Sequence, residues 1–151
     1  MGVESLKRFG ELLFHKEVHK EVVSAVIFKN DKLLLVRRAV HERLSGVYEL
    51  PGGTVNKGET HEEALIREVF QETGFRIISI HELVSIIDFF SQPHVHARSF
   101  AYMIETEDTE VVLSEEHDDY NFVELQEALQ LPLSGNARHT ILALLKQSEA
   151  R

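Results

Sequence analysis

The chain has 151 residues, enough for one domain with a substantial core and too few for two comfortable ones. Its 25 acidic side chains against 16 basic ones leave a net charge of −9, which argues against a nucleic-acid-binding scaffold, since those carry a basic surplus to neutralise phosphate. It contains no cysteine, hence no disulfide framework, thiolate zinc site or thiol nucleophile, and no apolar run approaches the ~18 residues that a membrane span needs. A soluble, cytoplasmic protein is expected, with no membrane or nucleic-acid partner. An acidic protein can still handle phosphorylated substrates when a divalent cation bridges the two negative partners.

Residues 1–20 read as a lead-in to a single domain over 21–151. Leu6, Phe9, Leu12 and Leu13 give weak helical spacing or an extended approach, and His15 and His19, four apart with no third ligand, read as a solvated face. Val22–Phe28 is β-branched and apolar, Lys29-Asn30-Asp31-Lys32 has turn chemistry, and Leu33–Val36 follows, so the spacing predicts a hairpin. Arg37 and Arg38 close the second run, as surface charges or as cations facing phosphate. Residues 39–58 read as loop, with Pro51-Gly52-Gly53 allowing close backbone approaches.

A helix is predicted from about His61, where Thr60 and Glu63 form a capping box, to a stop at Gly74. Further strands are expected within 76–90 and 95–105, separated by Ser91-Gln92-Pro93. Val111–Leu113 and Tyr120–Val123 read as short strands around an acidic loop, and a closing helix runs from Ser134 or Asn136 to Gln147. His94 and His96 are placed on one side of a strand, as a polar face or substrate contact. Phe89, Phe90, Tyr102 and Tyr120 are aromatic candidates for stacking a base, with core or rim packing as the default. The mixed order predicts a layered α/β or α+β domain.

On a helical wheel Leu65, Ile66, Val69 and Phe70 are assigned to the core, with Arg67, Glu68, Gln71 and Glu72 opposite. Glu68 and Glu72 are i,i+4 neighbours whose like charges repel, and Arg67 is expected to point away from Glu68. A divalent cation turns that repulsion into coordination, and carboxylate oxygens favour magnesium or manganese over zinc.

Gly53, Glu59, Arg67-Glu68-Val69, Glu72 and Gly74, approached by Leu50-Pro51-Gly52, resemble the box motif of the Nudix hydrolases, G-x5-E-x7-R-E-U-x-E-E-x-G-U. Phe75 supplies a bulky apolar end, and Gln71 stands where the family has a glutamate. The resemblance implies an α/β/α sandwich around a mixed β-sheet and a magnesium- or manganese-dependent pyrophosphohydrolase. It implies Glu68 and Glu72 as metal ligands with the Gly52 carbonyl completing the shell, and Gly53, Glu59, Gly74 and Arg67 as structural braces. Arg67 is grouped with Glu68 and Glu116 in the catalytic set. Ser114-Glu115-Glu116-His117 with Tyr120 is similar to a segment of several Nudix enzymes, diadenosine tetraphosphate hydrolases among them, and makes Glu116 a further ligand or base, with Glu115 as the competitor. Arg37 and Tyr120 are the substrate-contact candidates. The implied substrate is a nucleoside diphosphate derivative, either a nucleoside triphosphate, oxidised or not, or a dinucleoside polyphosphate. An ADP-ribose-type nucleotide sugar and a non-catalytic nucleotide sensor are the alternatives, and monomer and homodimer both stand. Isoprenoid diphosphate isomerisation shares the implied fold, but the absence of cysteine weighs against it.

Overall fold

The computed structural model describes residues 17–150. His15 and most of the lead-in lie outside the described residues. Eight strands and three helices follow in the order β1 (Lys20–Val26), β2 (Phe28–Lys29), β3 (Lys32–Arg38), β4 (Tyr48–Glu49), β5 (Gly52–Thr54), α1 (His61–Thr73), β6 (Ser79–Gln92), β7 (Val95–Glu105), β8 (His117–Val123), α2 (Leu125–Ala128) and α3 (Gly135–Glu149).

The strands make two four-stranded sheets. The first has the order β5-β1-β7-β6, with β1 parallel to β7 and antiparallel to β5. In the second, β3 pairs with β2, β4 and β8, all antiparallel. The architecture is the mixed-sheet α/β sandwich. The expected 22–28/33–36 hairpin is smaller than the sequence suggests. Only Phe28–Lys29, as β2, folds back on β3, while the residues before it form β1 and pair with β5 and β7. The chain changes sheets at Ile27, whose carbonyl accepts from Leu34 N at 2.9 Å. The two-residue turn does form, with Asn30 and Asp31 both at positive φ, 52° and 63°, as a tight hairpin requires.

Strand alternation divides the core. Val23, Ala25, Ile27 and Leu34 pack with Ala64, Leu65 and Val69 of α1 and with Phe75. Val26, Leu33 and Leu35 pack on the other side with Tyr48, Leu50, Ala137, Ile141 and Leu144. Burial on both faces is why β1 and β3 read as continuous apolar runs.

Several elements differ from expectation. Residues 111–113 form no strand; Val112 N donates to Thr73 O at 2.8 Å and closes the end of α1. His94 is not in a strand but in the Pro93-His94 turn at φ 69°, so only His96 belongs to β7, where Nε2 contacts Asp88 Oδ2 at 2.9 Å. The loop-like 39–58 region contains β4 and β5, too short to carry a periodic signal. The closing helix starts at Gly135, with Ser134 Oγ accepting from Ala137 N at 3.1 Å.

Candidate active site

The site is built on α1, whose ends match the sequence. Thr60 Oγ1 accepts from Glu63 N and Glu63 Oε1 accepts from Thr60 N, both at 3.1 Å. Gly74 terminates the helix at φ 76°, a left-handed conformation open to glycine. The wheel assignment needs correction. Ile66 and Phe70 are half exposed, and the buried face consists of Ala64, Leu65, Val69, Glu72 and Thr73. Glu72 lies two turns from Leu65 and therefore shares its azimuth, so this carboxylate points inward. Only 4% of the residue is exposed.

The glycine turn before the helix receives both carboxylates. Gly52 N donates to Glu72 Oε2 at 2.8 Å. A Cβ on Gly52 would stand 2.0 Å from Val23 O, and one on Gly53 would stand 2.4 Å from Glu68 Cδ. Glycine at 52 thus lets β5 pair tightly with β1, and glycine at 53 leaves the space that the Glu68 carboxylate fills.

Arg67 braces this arrangement. Its Nε donates to Glu59 Oε2 at 2.8 Å, its Nη2 to Glu59 Oε1 at 2.9 Å and to Thr54 O at 3.0 Å, while Nη1 donates to Glu68 Oε1. The expectation that Arg67 points away from Glu68 fails because the long side chain bends back over its neighbour. The Arg67 guanidinium, with Asn56 N, holds the Glu59 carboxyl down at about 2. Glu72 shows the opposite effect. Burial pushes its carboxyl up to about 9, and the charges of Glu49, Glu68 and Glu116 add to that push against the Gly52 N–H. Four carboxylates converging on one place are electrostatically costly by themselves, and a divalent cation fits that donor set.

The second sheet closes the site. Glu49 of β4 accepts from Arg38 Nη1 at 3.0 Å and meets His117 Nε2 of β8 at 3.0 Å. Ligand atoms of Glu72, Glu116 and His117 lie within 4.8 Å of one another. A cleft of about 620 Å³ runs past this cluster. Glu49, Gly52, Gly53, Glu68, Glu72 and Glu116 line its acidic end, Arg38 and Arg43 add positive charge, and Leu44, Phe89 and Phe90 supply apolar surface.

The structure thus brings Gly52, Gly53, Glu68, Glu72 and Glu116 together, while Glu59 and Arg67 brace Glu68 from behind and Gly74 ends the helix. Glu115 and Gln71 are exposed and do not line the cleft. Neither Arg37 nor Tyr120 lines it. Arg37 Nε pairs instead with Asp118 at 2.8 Å, and Tyr120 sets its ring edge against Phe122. The arginine of β3 that lines the cleft is the neighbour, Arg38. The bulge in the β3–β8 ladder leaves Asp118 of β8 unpaired, so β3 keeps its alternation and Arg38 falls on the face of Leu34, which packs with α1. Sequence reasoning also passed over Glu49, whose one signal was its place two residues before Pro51-Gly52-Gly53.

The Nudix domain family matches residues 18–144. The chain is 31% identical over 124 residues to an ADP-ribose pyrophosphatase of Methanocaldococcus jannaschii, covering 80% of this chain and 68% of that protein. It is 39% identical over 54 residues to a CTP pyrophosphohydrolase of Escherichia coli, covering 36% of this chain and 40% of that one. A crystal structure of a MutT protein from Methanosarcina mazei superimposes with a TM-score of 0.78 at 26% identity, over 88% of this chain and 97% of that one. The chain belongs to the Nudix family, and with it to the hydrolases acting on phosphorus-containing anhydrides. Among the described residues no helix is long and apolar enough to cross a membrane.

Proposed function

We propose that the chain hydrolyses the diphosphate linkage of a nucleoside diphosphate derivative, a nucleoside triphosphate, oxidised or not, or a dinucleoside polyphosphate. The observation that carries this reading is the convergence of Glu68, Glu72 and Glu116 on one cleft whose lining also includes Arg38, Arg43, Leu44 and Phe90. Glu68 and Glu72 are the main ligands for magnesium or manganese, and Glu116 is the additional one. A cation held there would neutralise charge on the phosphate oxygens and lower the pKa of the attacking water. Arg67 aims Glu68 through its Nη1 contact, and a free oxygen of Glu68 or Glu116 takes the water proton. Arg38 and Arg43 face the substrate's phosphates, and Phe90 with Leu44 offers apolar surface to its base. Leu44 holds a positive φ of 58° at this rim, a strained conformation for a branched residue.

An ADP-ribose-type substrate is favoured by one observation, the 124-residue match to a relative named for that activity. A panel of nucleoside triphosphates, dinucleoside polyphosphates and nucleotide sugars, assayed with magnesium and with product identification, separates the two. Glu68→Gln is expected to lower turnover by roughly 10²–10⁴-fold with the fold intact. Absence of turnover on every panel member with either cation would favour a nucleotide-sensing domain.

A further inference from the structure

His117 lies beside the cleft carboxylates Glu49, Glu72 and Glu116, and the proposed hydrolysis does not use its chemistry. It is buried to 5% exposure at the start of β8, although Glu116 beside it is exposed. Its Nε2 lies 3.0 Å from Glu49 Oε1. A carboxylate only accepts, so the imidazole proton sits on that side. The other ring nitrogen, Nδ1, is buried with no hydrogen-bond partner among the described residues. A buried nitrogen lone pair left unmatched is uncommon in a folded protein and calls for a reason. A ring nitrogen of His117 and carboxylate oxygens of Glu72 and Glu116 lie mutually within 4.8 Å, a spacing that one cation can bridge. An imidazole whose second nitrogen donates to a carboxylate is the usual arrangement of a metal-binding histidine, the carboxylate fixing ring orientation and raising ligand basicity.

We propose that Glu72, Glu116 and His117 hold a divalent cation at a mixed oxygen–nitrogen position, with Glu49 orienting the imidazole, and that this position prefers manganese to magnesium. The proposal rests on the hydrolase reading of the cleft but adds a ligand and a metal preference to it. Magnesium takes oxygen ligands and gives up its water reluctantly, whereas imidazole nitrogen suits transition cations, whose affinity for nitrogen sites runs higher. Glu68, over Gly53, remains an all-oxygen partner for magnesium. Gln71, exposed and off the cleft lining, withholds the charge that a glutamate would bring to this helix.

The test uses the whole chain and the metals alone, without substrate, so that its failure is distinct from failure of the hydrolase reading. Calorimetric titration should show manganese binding more tightly than magnesium by about tenfold or more. Electron spin-echo spectra of the manganese-loaded protein should carry the hyperfine coupling of a directly bound imidazole nitrogen. In His117→Gln that coupling should vanish and manganese affinity fall by about tenfold to a hundredfold, with magnesium affinity far less affected. Glu49→Gln should weaken manganese binding in the same direction while retaining the coupling. If His117→Gln does not fold, the parent protein carrying ¹⁵N-labelled histidine replaces it, and the nitrogen coupling must change to that of ¹⁵N. A wild-type spectrum without nitrogen coupling, equal affinities for the two cations, or unchanged manganese binding in a folded variant would overturn the proposal.

Discussion

Glu72 shows how one residue sets both stability and ligand binding. Its carboxyl titrates near 4.5 in an unfolded chain and at about 9 in the folded one. Between those values the folded state holds a proton that the unfolded state has lost, so the metal-free protein loses stability as pH rises from about 4.5 towards 9. Thermal unfolding in chelator should show a melting temperature falling over that range, and Glu72→Gln should flatten the slope. A slope unchanged in the variant would mean that another group carries it. A cation requires the carboxylate form, so magnesium binding below about 9 releases a proton and tightens with pH. Glu59 lies at the other extreme, since it is held at about 2 by Arg67 and stays ionised through the whole physiological range.

At the scale of elements, the strand–turn–helix unit from β5 to α1 acts as one device. The turn approaches β1 so closely that Gly52 has backbone behind it, Val23 O at 2.0 Å from a would-be Cβ, whereas Gly53 has only the end of a side chain, Glu68 Cδ at 2.4 Å. The two glycines therefore differ in consequence. Gly53→Ala is expected to fold with a melting temperature close to the parent's, because the Glu68 carboxylate can swing aside. Its turnover should drop by about a hundredfold or more, since a displaced ligand of this kind is costly to catalysis. Gly52→Ala should instead destabilise the protein, because backbone cannot move aside without breaking the β1–β5 pairing. Unfolding midpoints and kinetics on the same two preparations check both outcomes. If Gly53→Ala kept full activity, Glu68 would not occupy its working position in this conformation.

At the scale of the molecule, the cleft exists because separate parts of the chain meet over the box helix. Arg43 Nη1 donates to Ser91 O at 2.7 Å, tying the 39–47 loop to the tip of the β6–β7 hairpin. Ser134 N donates to Tyr48 O at 2.9 Å, bringing the start of α3 to the opposite wall. Phe90, 69% exposed, stands at the rim with Leu44 at 62%, more apolar surface than a cleft mouth would show to water without use. If the ring packs on the base as proposed, Phe90→Ala raises KM by about tenfold for a base-bearing substrate and leaves kcat little changed. Equal KM values for parent and variant would remove Phe90 from substrate binding.

The sequence by itself determined the local and contiguous features. Thr60, Glu63 and Gly74 bounded α1 because caps act within one turn. Gly53, Glu59, Arg67, Glu68 and Glu72 pointed to the chemistry because they lie on one short unit whose spacing the helix translates directly into geometry. The burial of Glu72 was also latent there, since two turns from Leu65 return to the same face, although the run Ile66 and Phe70 suggested a different stripe. Only the tertiary structure decided the rest. Arg38 rather than Arg37 enters the cleft because it shares the face of Leu34, and which face of β3 meets α1 is settled only by packing. Glu49 and His117 reach the carboxylates because β4 and β8 both pair with β3, and that pairing joins residues far apart in the chain. No sequence period records such a contact, because it depends on which strands become neighbours and in what register.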